Sequence, residues 1–508
     1  MTNQLKMKKF FIFSPFAFAL IFIYLFKGQQ AGINVLIFNL ILLGGIYWTG
    51  RLNINNRIQL LLVSGSVISA VMVLIHGSSM AMAADIFSLI LLLGFVAAGD
   101  IGLLLNGFPA ALFGVVTAPY HFLAETARLT NQKSNGRRIL RFFLVVLAPV
   151  VFLMIFTTIY ATASPYFNNL TGGLLEHLEK FMEALIRYIS PIDFWLFVAG
   201  FLIFIAFLSG KSHRFLVFFS ENNGMQLLRK RIPFTGRMTN LKTEYRSGVV
   251  MLVLLNLVLA TMNVLDIYNV WFNFEWNGDY LKQFVHEGTW LLIFSIIISI
   301  FIVLYYFRAN LNFYPQRKLL LNLALLWLAQ NALLAVSVGI RNMWYIHHFN
   351  LAYKRIGVYA FLLLTLFGIV TVIIKIRQRK THQYLFHYNS LAAYAILICL
   401  SFFNWDKIIA SFNADRSEKA FFHPEFMVTL NSSALPELMM TTKKIDRIEA
   451  AQTRKFDYYH QYMSLYYYKE RVEQRQRDFI SGYSQVSWLG WNYADYQAYN
   501  QLTDKQNP

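Results

Sequence analysis

The chain has 508 residues, of which 57% are apolar, 17% aromatic and only 14% charged. A soluble globular domain carries about 25% charged residues, so this composition excludes a large soluble enzyme and describes a polytopic membrane protein. The single cysteine, Cys399, excludes a disulfide scaffold and a cysteine-rich zinc site, and the formal charge of +19 would mean nucleic acid only if the basic residues shared one surface.

A hydrocarbon core about 30 Å thick takes roughly 20 apolar residues in a helix. Eleven runs fit, near 10–26, 33–49, 58–76, 84–105, 139–163, 192–209, 248–271, 289–307, 319–340, 355–375 and 389–405. The first follows Lys6, Lys8 and Lys9 as a signal peptide would, but no small-residue cleavage site follows Phe26, so a retained helix is expected. The run 108–123 is short and carries Pro109 and Pro119; it reads as interfacial or re-entrant. In the fourth run Gly94, Ala98 and Gly102 recur every four residues, a face suited to close helix packing. In 172–190, Leu174, Leu178, Phe181, Leu185 and Ile189 fall at helical spacing, which predicts an amphipathic helix on the outer surface or against its neighbours.

Charge orients these spans, because Lys and Arg favour the cytoplasmic side of short loops. With the N-terminus inside, inner segments carry 25 basic residues against three acids, and outer loops seven against eight. Letting 108–123 cross would largely reverse this bias. The expectation is an all-α transmembrane bundle of about eleven spans in a bacterial inner membrane, N-terminus cytoplasmic and C-terminus extracytoplasmic. A six-helix region, 1–209, is followed by a basic cytoplasmic loop, 210–247, and a five-helix region, 248–405. The charge excess is then an orientation signal, aided by attraction to anionic lipids, and not a nucleic-acid surface.

The tail 406–508 is polar, with thirteen basic residues balancing thirteen acids. It reads as helical, with one long helix from about Ile445 to Phe479 bearing Phe456, Tyr459, Met463 and Tyr466 on one face. Either it packs back onto the outer loops or it binds an extracytoplasmic protein partner. A second aromatic group, Trp488, Trp491, Tyr493, Tyr496 and Tyr499, suggests docking.

Polar residues inside membrane spans are costly, and so informative. Asn256, Asn263 and Asp266 share a face of run 248–271, and Asn322, Gln330 and Asn331 lie in run 319–340. At the outer helix ends the topology gathers Asp266, His286, Glu287, Arg341, His347, His348, Arg355 and Asp406. This layer is either a structural ion-pair network, with Asp266 facing Arg341 or Arg355, or a substrate or proton site open to the outside. Other motifs fail on spacing. Gly210-Lys211-Ser212 lacks the upstream glycine of a phosphate loop, since Ile205 stands there. His286-Glu287 lacks the second histidine of a zinc-protease helix, and His121 with Glu125 lacks a third ligand. No cofactor or metal is expected.

Several blocks resemble the polytopic membrane proteins of domain-of-unknown-function families 4153 and 4173. They are Asn263-Val264-Leu265-Asp266-Ile267-Tyr268-Asn269-Val270-Trp271, Val285-His286-Glu287-Gly288-Thr289, Tyr353-Lys354-Arg355-Ile356-Gly357-Val358, Asn404-Trp405-Asp406-Lys407-Ile408-Ile409-Ala410 and Ala434-Leu435-Pro436-Glu437-Leu438. Ala352-Tyr353 and Ser433 depart from the family pattern. The resemblance spans about 248–440 and implies an integral membrane protein with no assigned reaction. The leading expectation is a transport-type protein with a polar site near the outer face. The alternative is a sensory or envelope-assembly component whose outer tail binds a partner. A membrane enzyme ranks last, because neither nucleophile nor metal site can be named.

Overall fold

The computed structural model describes residues 2–53, 55–99, 102–129, 153, 157, 192–211, 224–229, 237–274, 278–308, 310–456 and 462–504, with only the backbone of 2–9, 127, 129, 237–240 and 278–289. The expected span 139–163 apart from residues 153 and 157, the amphipathic helix 172–190, Asp100 and most of the loop 210–247 lie outside the described residues. Among these residues the fold is all-helical, and β pairing is limited to one isolated bridge between Gln226 and Lys380.

Among the described residues, eleven long helices form the membrane part. They are α1 (Thr2–Phe26), α2 (Ile33–Trp48), α3 (Arg57–His76), α4 (Ser79–Ala98), α5 (Gly107–Leu129), α6 (Ile192–Ser209), α7 (Arg237–Asp266), α8 (Gly278–Tyr306), α9 (Arg317–Phe349), α10 (Tyr353–Gln378) and α11 (His382–Ser401). Except for α5, each coincides with an expected apolar run. Local chemistry sets their ends. The Asn56 side chain accepts from the N–H groups of Ile58 and Gln59 to start α3, and Gly77, at φ +58°, stops it. Ser78 then caps α4 by accepting from Ala81 N–H. Thus α4 starts five residues before the expected position, which carries Asp85 inside the helix.

The helices form two bundles. Phe18, Leu42, Leu62, Leu91, Phe95 and Phe204 centre the first, built from α1–α6. Leu252, Ile296, Leu328, Val338 and Ile376 centre the second, built from α7–α10. Helix α11 belongs to both, with Tyr384 and Leu385 in the second core and Tyr394 in the first. The expected split into six and five helices therefore misses a shared member.

The small-residue stripe behaves differently from expectation. Helix α4 ends at Ala98, and Gly102 lies beyond it with open space where a Cβ would stand. Only Gly94 makes a close approach: a Cβ there would meet the Gly107 carbonyl oxygen at 1.9 Å. The run read as interfacial forms part of α5, a 23-residue helix. Its start lies beside the middle of α4, with the Phe87 and Phe108 rings 4.7 Å apart. Half-way along it passes the C-terminus of α6, where Ser209 Oγ donates to Ala118 O at 3.1 Å.

Basic side chains close several helix ends on this side. Arg51 donates to the carbonyls of Phe207 (2.8 Å) and Gly210 (2.9 Å) after α6, and Lys375 donates to Phe307 O (3.0 Å) after α8. A cation there satisfies orphan carbonyls and complements the helix dipole.

The opposite face bears a folded cap. It comprises α12 (Trp405–Asp415), α13 (Pro424–Val428), a single turn at Leu435–Leu438, α14 (Thr442–Lys455), α15 (Leu465–Tyr483) and α16 (Tyr493–Asp504). Its own core includes Ile409, Phe422, Leu435, Ile445, Ile448 and Tyr468. The single helix expected over 445–479 is two. Helix α14 ends at Lys455 because Phe456 turns extended (φ −133°, ψ 100°) to bury its ring in this core, and Ser464 caps a new helix. Phe456 and the exposed Tyr466 therefore share no face.

Backbone groups join the cap to both bundles. Ile33 N–H donates to Trp491 O (3.1 Å), and Asn431 Nδ2 to Gly77 O (3.3 Å). Phe421 N–H donates to His348 O (2.7 Å), and Asn413 Nδ2 to Leu351 O (3.0 Å). A Cβ on Gly32 would meet Trp491 O at 2.3 Å, so a glycine is needed at this contact. Docking thus runs through backbone, Asn492 and Leu489, while Trp488, Tyr493 and Tyr496 stay exposed.

Candidate functional site

Helices α7 and α9 run parallel, and their polar contacts recur every seven residues. Gln330 Nε2 donates to Asn256 Oδ1 at 2.7 Å, while Asn256 Nδ2 donates to Leu323 O at 3.1 Å. Asn263 Nδ2 donates to Gln330 O at 3.2 Å, and Trp344 Nε1 to Val270 O at 3.0 Å. Positions 256, 263 and 270 thus meet 323, 330 and 344. A seven-residue period keeps one seam facing its partner in left-handed packing. In a membrane, where apolar side chains gain little by leaving lipid, such hydrogen bonds hold helices in register.

Asp266 closes this ladder. Its carboxylate accepts from Ser337 Oγ at 2.7 Å and forms an ion pair with Arg341; both charged residues are 3% exposed. Trp271 Nε1 donates to the same Ser337 hydroxyl at 3.2 Å. In an ideal α-helix residues five apart point well away from each other. Residues Ile267–Phe272 form a π-helical turn, which brings Asp266 and Trp271 onto one side.

The expected outer layer divides into separate structural contacts. Arg355 leaves Asp266 alone: its Nη1 donates to Phe349 O at 2.5 Å and to Asn350 O, closing the end of α9, and it lies over the Tyr345 ring at 4.4 Å. His347 meets Arg416 of the cap, Nη2 to Nδ1 at 3.2 Å. His348 offers its carbonyl to Phe421. Asp406 accepts from Asn431 N–H at 2.8 Å and interacts with the Tyr353 hydroxyl. His286 and Glu287 sit in the first half of α8, and their side chains lie outside the described residues.

In the membrane-embedded ladder, Asn322 is exposed and takes no part. Asn331 is fully buried and donates to Trp327 O at 2.8 Å, within its own helix. Among the described residues no group of three metal-ligating side chains occurs. Near α5, Glu125 pairs with Arg128 at 3.6 Å.

Sequence reasoning missed Ser337, Trp271 and Trp344, although Ser337 and Trp344 continue the seven-residue spacing from Gln330. It also missed a polar cluster in the first bundle. Asp85 accepts from Asn39 Nδ2 (3.1 Å) and Ser69 Oγ (3.3 Å), and Ser88 Oγ lies 2.9 Å from the Tyr394 hydroxyl. Asp85, at the edge of run 84–105, is one of the eight acids counted to the outer loops, and that count hid this cluster.

Residues 37–440 match the family model described as Domain of unknown function (DUF4153), well over half of the chain. The chain belongs to this family. The DUF4153 match begins inside α2 and ends at the single turn of the cap, so it reaches some two hundred residues further toward the N-terminus than the recognisable blocks, and helices α14–α16 lie beyond it. No curated protein and no solved structure matches the chain. Family membership and the run of long apolar helices make this an integral membrane protein.

Proposed function

We propose that this protein is a sensory or envelope-assembly component whose cap docks a partner outside the cytoplasm. The cap carries the reading: it is a folded unit with its own core, fixed to both bundles through backbone hydrogen bonds, and it leaves Tyr466, Tyr467, Trp488, Tyr493 and Tyr496 exposed. Exposed aromatics on a rigid element make efficient protein contacts, since they bury large areas with few rotamers to fix. The outer polar layer speaks less for transport, because Asp266, Arg341, Arg355, His347 and Asp406 are engaged in helix-to-helix and helix-to-cap contacts. The transport-type reading keeps one observation in its favour, the buried Asp85 with neutral partners.

The charge pattern supports a cytoplasmic N-terminus and an extracytoplasmic cap in a bacterial inner membrane. Arg51, Lys242, Arg246, Arg308, Arg317, Lys318, Arg377, Arg379 and Lys380 gather on the face away from the cap. Helices α4 and α6 both run away from the cap, and α5 is read as re-entrant or interfacial.

A photo-crosslinker at Trp488 or Tyr496 in native membranes tests the docking. A discrete adduct that disappears when Tyr493 and Tyr466 are changed to Ala in a normally folded protein supports it. Crosslinks to lipid alone would sink it. Impermeant maleimide labelling of Ser481→Cys in a Cys399→Ser background of intact cells reads the side of the cap.

A further inference from the structure

We propose that Asp85 binds a small monovalent cation, a proton or Na+, inside the first bundle, within a surround of Asn39, Ser69, Ser88 and Tyr394. Asp85 is the seventh residue of α4 and is 2% exposed. Its hydrogen-bond donors are neutral, Asn39 and Ser69, and no cationic side chain pairs with it among the described residues. A bare carboxylate in an apolar, lipid-embedded bundle is costly, and the pairing that relieves Asp266 is missing here.

Four helices converge on the group: α2 supplies Asn39, α3 Ser69, α4 Asp85 and Ser88, and α11 Tyr394. All of these are buried. The Oδ1 atom of Asn39 has no hydrogen-bond partner although the residue is 0% exposed, so the amide touching Asp85 holds an unused oxygen acceptor. Turning that amide over, with loss of its Nδ2 bond to Val35 O at 3.0 Å, would replace a donor to the carboxylate with an oxygen ligand for an ion. Gly65 makes the approach of Tyr394 achievable, because a Cβ there would stand 1.8 Å from the phenol oxygen. Hydroxyl, amide and carboxylate oxygens suit a hard cation. One carboxylate balances one positive charge, whereas a divalent ion would leave net charge buried.

The titratable group that interacts with Asp85 is Tyr394 from α11. Among the described residues, three other charged or titratable groups at this end of the bundle are engaged elsewhere. Lys27 pairs with Asp193 at 2.8 Å, His76 meets Phe402 O at 2.9 Å, and Asp495 of the cap is held by Asn492 at 2.7 Å.

The test is the melting temperature of the full-length protein in detergent, measured in Na+ against choline and, in choline, between about pH 5.5 and 8.5. If the cation is Na+, replacing choline with Na+ raises the melting temperature by a few degrees. If it is a proton, acidification does so. Asp85→Asn, neutral throughout, abolishes the Na+ response or, for a proton, reduces the acid response to the small part that Asp495 of the cap contributes. The proposal is overturned if Asp85→Asn retains the wild-type response, or if the wild type responds to neither. Should Asp85→Asn fail to fold, radioactive-sodium binding and the protonated-carboxyl band in difference infrared spectra read the two arms on the wild-type protein. Absence of both signals overturns the proposal equally.

Discussion

Asp266 in the second bundle and Asp85 in the first are almost equally buried, yet their neighbours differ in kind. Asp266 has the Arg341 guanidinium and the Ser337 hydroxyl; Asp85 has an amide and hydroxyls. A carboxylate already paired with a guanidinium acts as a fixed joint between helices. A carboxylate among neutral donors leaves room for a mobile cation. The bundle carrying the recognisable sequence blocks thus holds the charge-paired carboxylate, and chemical interest shifts to the less conspicuous one.

The strongest way to break this contrast is Arg341→Met. It strands the Asp266 charge in the bundle and should destabilise the protein by about 3–5 kcal/mol, read as lost folded protein in detergent melts. The double variant with Asp266→Asn should recover much of that loss. Asp85→Asn is the matched case: its stability should change by less than about 1 kcal/mol, because no opposite charge is left behind. If Asp85→Asn costs as much as Arg341→Met, the two carboxylates are not different in kind. Between these lies Gly94→Ala, whose Cβ collides with backbone at Gly107 and should cost about 1–3 kcal/mol by prising α5 from α4. Gln330→Leu should cost only about 0.6 kcal/mol, as single hydrogen bonds between membrane helices commonly do.

The smallest effect is local to the cap. Burial pushes the Asp495 carboxyl up from its ordinary range. A raised value in the docked state means that the neutral form favours docking. Its contribution is complete below the ordinary aspartate pKa and is lost as pH rises through the raised one. Limited proteolysis of α16 should therefore quicken from acidic to neutral pH, and Asp495→Asn should flatten the profile.

Much of the membrane part was legible because a span must be long and apolar, whatever it packs against. Ten runs became helices for that reason. The paired faces of α7 and α9 were half-legible: asparagines in a span stand out, whereas Ser337 does not, since serine is common in membrane helices. Asp85 was misplaced because hydropathy marks where apolar residues begin, while Ser78 starts the helix earlier by capping it. The long tail helix failed for a tertiary reason, since the periodicity continues through Phe456 but the cap core takes that ring. Arg355 was a plausible partner for Asp266 by position, and only the fold shows that it is needed at the carbonyl end of α9. The sharing of α11 has no local signal at all.

That sharing has a consequence for biogenesis. Ser88 and Tyr394 touch across 306 residues of sequence, and α11 is the last helix of the membrane part to leave the ribosome. While α5–α10 are being threaded, the first bundle waits with the space above Gly65 unfilled and Asp85 lacking its final neighbour. The arrival of α11 therefore completes the oldest part of the membrane domain and joins it to the newest in one event. A chain interrupted before residue 382 would carry both bundles but neither the finished polar cluster nor the seam between them.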